Sequence, residues 1–186
     1  MKLDVRRAQN SDALLISEMV NRAYRGDSGR KGWTTEADLL SGIRTDKERV
    51  LEQITADGNA MLIAERIEVD PAAALRVQPA RLEGCVHLQK KDETTAYLGM
   101  LTTDSQRQAR GTGSALLAAA EEFVRREWRT TKMEMTVITA REELIAWYVR
   151  RGYCVTNEKR PFPNDPRFGV PLVPGLEFVV LEKSLL

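Results

Sequence analysis

The fold is decided by the stretch Leu101-Thr102-Thr103-Asp104-Ser105-Gln106-Arg107-Gln108-Ala109-Arg110-Gly111-Thr112-Gly113-Ser114-Ala115-Leu116-Leu117. This pattern predicts a strand, a short polar loop and a helix that begins at a glycine-rich corner. Glycine lets the backbone turn sharply there and leaves the surface open to a ligand. The first N–H groups of the helix point outward at the positive end of its dipole, an arrangement that binds phosphate groups. Two arginines of the loop, Arg107 and Arg110, add positive charge beside the corner.

Three other interpretations of this corner can be compared with the residues present. Glycines that serve only a tight turn would give the same pattern, and this alternative stays open. A dinucleotide-binding corner needs a small residue where Leu116 stands and an acid near Ile138, and the sequence has neither. A nucleotide P-loop needs a lysine directly after a glycine of the corner, where Thr112 and Ser114 stand instead.

A second motif follows the corner. Residues 133–137 predict a strand, and residues 139–151 predict a helix that begins with a capping box of Thr139 and Glu142. Gly152 can end this helix in the left-handed conformation, so the segment is a helix that runs directly into another strand.

Together the two motifs resemble the GNAT superfamily of N-acetyltransferases. Gln108-x-x-Gly111-x-Gly113 matches the family's coenzyme-binding corner, and Leu144-x-x-x-Tyr148-x-x-x-Gly152-Tyr153 is similar to the end of its signature helix. The resemblance covers about residues 95–155 and implies acetyl-coenzyme A (acetyl-CoA) as the cofactor. It departs at Leu144, where the family usually has alanine, and at Arg141, where it often has asparagine.

The resemblance also implies roles for individual residues. The strand offers main-chain groups to the pantetheine arm of the coenzyme, and the corner holds its pyrophosphate through backbone N–H groups. The implied cofactor-binding residues are Leu101, Thr102, Thr103, Gln108, Ala109, Arg110, Gly111, Thr112, Gly113 and Ser114. Tyr148 is implied as the catalytic acid that protonates the departing thiolate; the alternative is an aromatic anchor of its helix.

The acceptor side of the predicted site is less well defined. The resemblance places it at the first two helices and at the loop before the last strand. The implied substrate-binding residues are Trp33, Phe162 and Phe168. Two alternatives stay open: Trp33 plugs the core, and residues 160–174 form the contact arm of a homodimer.

Amine acylation also needs a group that takes a proton, because a lysine-like amine has a pKa of ~10.4 in water. The predicted strand at 95–103 holds no carboxylate for this task. The base is therefore unassigned, and the candidates are Glu36, Glu83 and His87.

Composition and length limit the function classes. The 186 residues suit a single domain, 1–186, and 42% hydrophobic with 30% charged residues is ordinary for a globular protein. A net charge of +1 provides no field that favours nucleic acid or a membrane as partner. No apolar run approaches the ~20 residues that span a bilayer, and residues 1–12 lack a signal-peptide core. We therefore expect a cytoplasmic protein without a metal site, in which Cys85 and Cys154 are reduced and buried.

The order of predicted elements along the chain is that of a mixed α/β (α+β) fold, and the resemblance to the GNAT superfamily implies a largely antiparallel central sheet flanked by helices. Strands are predicted at residues 3–7, 60–67, 81–89, 94–103, 132–138, 152–157 and 176–183. The predicted loops lie at 26–32, 68–80 and 160–175, and a short helix is predicted at 34–40. The expected function is direct transfer of acetyl from acetyl-CoA to a primary amine of a small molecule or peptide. The alternative is a non-catalytic coenzyme-A-binding sensor or interaction module on the same fold.

Overall fold

A seven-stranded sheet is the centre of the fold in the computed structural model, which describes residues 2–25, 36–67, 80–105 and 111–186. The strands are β1 (Lys2–Arg7), β2 (Leu40–Ser41), β3 (Asn59–Ile67), β4 (Arg81–Lys90), β5 (Thr95–Thr103), β6 (Lys132–Ile138), β7 (Cys154–Pro161), β8 (Val170–Pro171) and β9 (Glu177–Ser184). The helices are α1 (Ala13–Arg25), α2 (Lys47–Thr55), α3 (Thr112–Glu127) and α4 (Glu142–Val149). Within these ranges, no helix is both long enough and apolar enough to cross a membrane.

The large sheet has the order β1-β3-β4-β5-β6-β9-β7, in which β5 and β6 run parallel and the other neighbours antiparallel. Alternating side chains give it two buried faces. On β3, Met61 and Ile63 pack in the core beside α1 and α2, whereas Leu62 and Ala64 pack in the core beside α3. Helices therefore cover both faces, and the predicted α/β (α+β) class with a largely antiparallel sheet is confirmed.

The start of α3 lies close to β4 because Gly84 has no side chain. A Cβ atom at Gly84 would lie 2.8 Å from Leu116 Cδ1 and 3.3 Å from Thr112 Cγ2, both of which belong to α3. The buried carboxylate of Glu83 holds the helix start, since it accepts a hydrogen bond from Thr112 Oγ1 at 3.2 Å. Arg66 Nε lies 2.8 Å from the other oxygen of Glu83 and balances its charge. The glycine corner is thereby fixed against the sheet.

The predicted strands agree with β1, β3 to β7 and β9, but the start of α4 differs from its prediction. The capping box of Thr139 and Glu142 is wrong, because Arg141 is the N-cap residue and makes no side-chain capping bond. The hydroxyl of Thr139 instead donates to the carbonyl of Glu177 on β9 at 3.3 Å. Gly152 does take a left-handed conformation, with φ of +90°.

Two further expectations need correction. Residues 160–175, predicted as a loop, hold the end of β7, a 3-10 turn at Pro166–Phe168 and β8. Since β8 pairs with β2, residues 40–41 are extended rather than the end of a helix. Cys85 is buried as expected, but Cys154 is exposed because it lies on the edge strand β7. The predicted loop at 26–32, most of the one at 68–80, and the start of the predicted helix at 34–40 lie outside the described residues.

Candidate active site

A cleft opens inside the sheet, where β5 and β6 part. The two strands pair only from Thr95 with Lys132 to Tyr97 with Glu134. Beyond this point β5 continues along β4 and β6 continues along β9, which leaves a gap between them. The hydroxyls of Tyr97 and Thr136 lie 2.7 Å apart across the closed end of the gap. The gap is therefore part of the strand arrangement rather than a space left between loops.

A bulge turns the edge of β5 toward this gap. The pairing of β4 with β5 shifts between Cys85 and His87, where β5 has one residue more than β4. Met100 lies in this extra segment with φ of +49°, a left-handed value that is uncommon outside glycine. A bulge of this kind bends the strand and changes the direction of its main-chain groups, which here belong to the cleft wall.

The cleft has a volume of about 910 Å³ and two chemically different ends. The first, called the helix end below, comprises the start of α3 at residues 111–114 together with Trp147 and Arg151. The second, called the charged end, is formed by Tyr24, Glu36, Arg44, His87 and Arg141.

The helix end offers unpaired N–H groups and positive charge. Gly111 is the N-cap of α3 with φ of +82°, and no side chain caps the helix, so the first N–H groups lack a helical acceptor. Arg151 Nη2 donates to Ser114 Oγ at 2.8 Å, and its guanidinium lies 3.5 Å from the centroid of the Trp147 ring. No carboxylate of a described residue pairs with Arg151. Helix dipole and arginine together make this end suited to an anion.

The predicted cofactor-binding residues fall into three groups. Leu101, Thr103 and residues 111–114 line the cleft. Thr102 is fully buried behind the wall, and its hydroxyl donates to the carbonyl of Met100 at 3.1 Å. The remaining residues of the prediction lie outside the described part of the chain: Gln108, Ala109 and Arg110.

Tyr148 lies on the cleft wall, next to both ends. Its ring packs edge to face against Trp147 at 4.9 Å and Tyr153 at 5.7 Å between centroids, and the residue is only 5% exposed. Its hydroxyl makes no hydrogen bond to any residue that the structure describes. Burial raises the pKa of Tyr148 well above its usual value, with a smaller contribution from Tyr24. The hydroxyl therefore keeps its proton at neutral pH and can donate it.

At the charged end, one buried glutamate is shared by two arginines. Glu36 accepts a hydrogen bond from Arg25 Nη1 at 2.9 Å, and Arg141 Nη1 lies 3.6 Å from its other oxygen. Among the described residues, Arg25 Nε and Nη2 are buried without a hydrogen-bond partner. Both oxygens of the candidate base Glu36 are therefore engaged by arginines. Glu83, a second candidate, is bound to the start of α3 and is not a wall residue.

His87, the third candidate base, lies on the cleft wall with its tautomer fixed. Nε2 lies 2.8 Å from Asn59 Oδ1, and the Asn59 amide N–H donates to the carbonyl of Asp57, so Nε2 carries the proton. The other ring nitrogen, Nδ1, is close to Gly99: a Cβ atom added to Gly99 would lie 3.7 Å from Nδ1. Burial, and then the charge of Arg44, lowers the pKa of His87 to about 4. The ring is therefore neutral near pH 7, and Nδ1 can accept a hydrogen bond.

The predicted substrate-binding aromatics occupy different places. Phe168 lines the cleft and is 45% exposed. Phe162 does not line the cleft. Its ring packs against the ring of Phe178, a wall residue, with 5.4 Å between the two centroids. Trp33 lies outside the described residues. The pairing of β8 with β2 holds the segment after Phe168 beside the segment that leads to Arg44.

The wall residues that sequence reasoning missed include Tyr97, Arg44 and Arg151. Arg151 had a weak signal, because it follows Trp147 by four residues and helical residues at that spacing share a face. Tyr97 and Arg44 had none, since a strand tyrosine and an arginine after a turn are common in proteins without a site there.

Comparison with known proteins gives a consistent result. The chain matches the sequence model of the acetyltransferase (GNAT) family over residues 42–153, which is more than half its length. No curated protein matches it by sequence.

Solved structures from several bacteria share the fold. YncA of Salmonella typhimurium, solved with its cofactor acetyl-CoA, is 16% identical, with a TM-score of 0.65 over 98% of this chain and 94% of its own. Ribosomal-protein-alanine N-acetyltransferase of Brucella melitensis is 18% identical, with a TM-score of 0.67 over 97% and 99%. Spermidine/spermine N-acetyltransferase SpeG of Vibrio cholerae is 13% identical, with a TM-score of 0.64 over 99% and 93%. At these identities the likeness concerns the fold alone.

Proposed function

Because the chain belongs to the GNAT family of acetyltransferases, we propose that it transfers acetyl from acetyl-CoA directly to the primary amine of a small molecule or peptide. One observation carries the proposal: a single cleft joins an uncapped helix N-terminus, a buried protonated tyrosine and a neutral histidine. These are the groups that hold a phosphate, donate a proton and accept a proton.

The helix end fits the pyrophosphate of acetyl-CoA. The N–H groups at the start of α3 and the guanidinium of Arg151 would hold its oxygens. Gln108, Ala109 and Arg110, outside the described residues, stay cofactor-binding residues implied by the sequence. The main chain at Leu101 to Thr103, beside the bulge of β5, would hold the pantetheine arm. When bound, acetyl-CoA supplies a thioester whose carbonyl carbon is open to attack by an amine.

Two residues move the protons of the reaction. His87 Nδ1 accepts the proton that the amine loses as the new C–N bond forms. The hydroxyl of Tyr148 gives a proton to the departing sulfur as the C–S bond breaks, which is consistent with its raised pKa. Glu36 and Glu83 take no proton in this scheme, because arginines and the start of α3 engage them.

The acceptor binds at the charged end of the cleft. Phe168 forms part of its entrance, and Phe162 packs against the wall residue Phe178. Trp33, outside the described residues, stays a substrate-binding residue implied by the sequence. A homodimer contact through residues 160–174 remains an alternative use of the same loop. The non-catalytic sensor is not favoured, because coenzyme binding alone gives no use to the facing His87 and Tyr148.

The test is an acceptor screen with the purified protein and acetyl-CoA, monitored by thiol release. Amino acids, polyamines, aminoglycosides and short peptides with a free N-terminus are supplied separately, and calorimetry measures acetyl-CoA binding in parallel. We expect micromolar coenzyme binding and acceptor-dependent thiol release that ends in an amide product. Coenzyme binding without turnover on any amine would favour the sensor, and absence of binding would contradict the proposal.

A further inference from the structure

The described residues of the cleft wall include more cationic than anionic side chains. Among described wall residues, five are cationic and one is anionic; they are Arg44, Lys91, Arg141, Arg151, Arg160 and Glu36. Lys91 and Arg160 both pair with Glu134 below the wall, at 2.8 Å and 3.0 Å. Arg141 shares Glu36 with Arg25. Two wall arginines are left without a carboxylate partner among these residues: Arg151 at the helix end and Arg44 at the charged end.

The backbone at Arg44 is held firmly in place. Its N–H donates to Asn21 Oδ1 at 2.7 Å, and Asn21 Nδ2 donates to the carbonyl of Thr45 at 2.8 Å. A single side chain of α1 therefore clamps the segment that carries Arg44. Such a clamp reduces the entropy that is lost when a ligand orders the residue.

The guanidinium of Arg44 also rests on a fixed surface. It lies 5.3 Å from the centroid of the Tyr24 ring, and the Tyr24 hydroxyl donates to the carbonyl of Leu101 at 3.3 Å. Tyr24 is buried, so it cannot turn away to release the arginine. An arginine held over a ring by cation–π attraction still has its N–H groups available for a planar oxyanion.

From this arrangement, and resting on the proposed acetyl transfer, we propose that the acceptor is an amine that also carries a carboxylate or similar oxyanion, which Arg44 binds. Arg25 adds positive charge nearby, and its Nε and Nη2 atoms are buried without a hydrogen-bond partner among the described residues. A polyamine, which carries several positive charges, is repelled by the same residues.

The position of His87 connects this charge to the reaction. Arg44 is close enough for its charge to lower the pKa of His87, after the larger effect of burial. An oxyanion on Arg44 offsets that charge and returns the pKa of His87 toward its ordinary value. The bound acceptor thus makes the histidine a better proton acceptor while its amine lies beside Nδ1. An amino acid carries both an amine and a carboxylate on one small molecule, and it is the acceptor class that we expect.

The first experiment measures binding without turnover. Single amino acids and their carboxamides, together with aminoalkylphosphonates and spermidine, are titrated into the protein in the presence of coenzyme A, with thermal stability as readout. We expect a rise in Tm with one or more carboxylates or phosphonates and none with the matched amide. The acid-dependent rise should disappear in Arg44→Gln. Equal stabilisation by acid and amide, or an unchanged response in Arg44→Gln, overturns the inference. Whether carboxylates or phosphonates act identifies the oxyanion.

The second experiment measures turnover of the best acid and of its amide. Arg44→Gln should raise the KM of the acid about 30-fold and leave that of the amide and of acetyl-CoA near wild type. Arg44→Lys keeps the charge without the planar edge, so its KM for the acid should lie between those of the wild type and Arg44→Gln. Arg22→Gln, an exposed arginine of α1 away from the cleft, is the matched control. Faster turnover of amides or spermidine overturns the inference while the proposed function stands; no thiol release with any amine counts against the proposed function itself.

Discussion

The two ends of the cleft are built in different ways. The helix end uses main-chain N–H groups of one continuous segment, residues 111–114, with one added arginine. The charged end uses side chains from four separate parts of the chain, namely Glu36, Arg44, His87 and Arg141. Main-chain groups are the same in every sequence, whereas side chains can be exchanged one at a time. The first end therefore suits a ligand common to a family, and the second suits a ligand peculiar to this chain.

The largest effect that tests this comparison is expected at Gly111. Its φ is +82°, and a Cβ atom there would meet no atom of a described residue within 4 Å, so a side chain would stand in the cleft beside the free N–H groups. Gly111→Val should weaken acetyl-CoA binding by about 10³-fold, since it blocks hydrogen bonds to a charged group. Calorimetry measures this loss.

The control separates the blocked site from backbone strain. Gly175 also has a positive φ, +69°, and open space at its Cβ position, but it does not line the cleft. Gly175→Val should lower stability by a similar amount and leave coenzyme affinity unchanged. Equal affinity losses in the two variants would place the phosphates elsewhere.

The next effect concerns Tyr148, which belongs to neither end. Tyr148→Phe should lower kcat about 10²-fold with little change in coenzyme affinity, because it removes a proton donor and keeps the ring. Stability should change little, since the hydroxyl has no partner among the described residues. Tyr153→Phe is the matched control, because that hydroxyl donates to Glu121 at 3.0 Å away from the cleft. It should lower stability and leave kcat near wild type; unchanged kcat in Tyr148→Phe would make Tyr148 an anchor only.

The difference between the helix end and the charged end also explains how much of the site could be predicted from the sequence. The corner from Gln108 to Ser114 and the Tyr148 helix are local patterns, and the sheet follows from alternation along each strand, so these features could be read from neighbouring residues. The charged end could not, because Asn21, Arg44 and His87 come together only through the fold. The capping box failed for a related reason: Thr139 finds its partner on β9, which is far away in the sequence.

Acid should affect the charged end before the helix end. The pKa of His87 is about 4 in the folded protein, below its value of 6.5 when unfolded. Protonation therefore favours the unfolded chain, and the stability that neutral His87 provides is present above pH 6.5 and lost as the pH falls toward 4. Denaturant titrations should show a loss of about 2 kcal/mol from this residue between pH 7 and pH 5. His87→Gln should lack this component; an identical pH dependence in both proteins would mean that the ring is accessible to water.

The smallest expected effect is at Arg151, and it compares the two ends most directly. Arg151 and Arg44 are both wall arginines stacked on an aromatic ring without a carboxylate partner among the described residues. Arg151→Gln should weaken acetyl-CoA binding only about 10-fold, because the N–H groups of α3 remain, and should leave the acceptor KM unchanged. Its neighbour Arg150 is exposed and away from the cleft, so Arg150→Gln is the control. If Arg151→Gln moved the acceptor KM and Arg44→Gln moved coenzyme affinity, the assignment of the two ends would be reversed. If Arg151→Gln changed only acetyl-CoA affinity and Arg44→Gln changed only the acceptor KM, two similar arginines would bind different ligands because of their surroundings. Arg151 lies beside a helix N-terminus, whereas Arg44 lies near His87 and the shared Glu36.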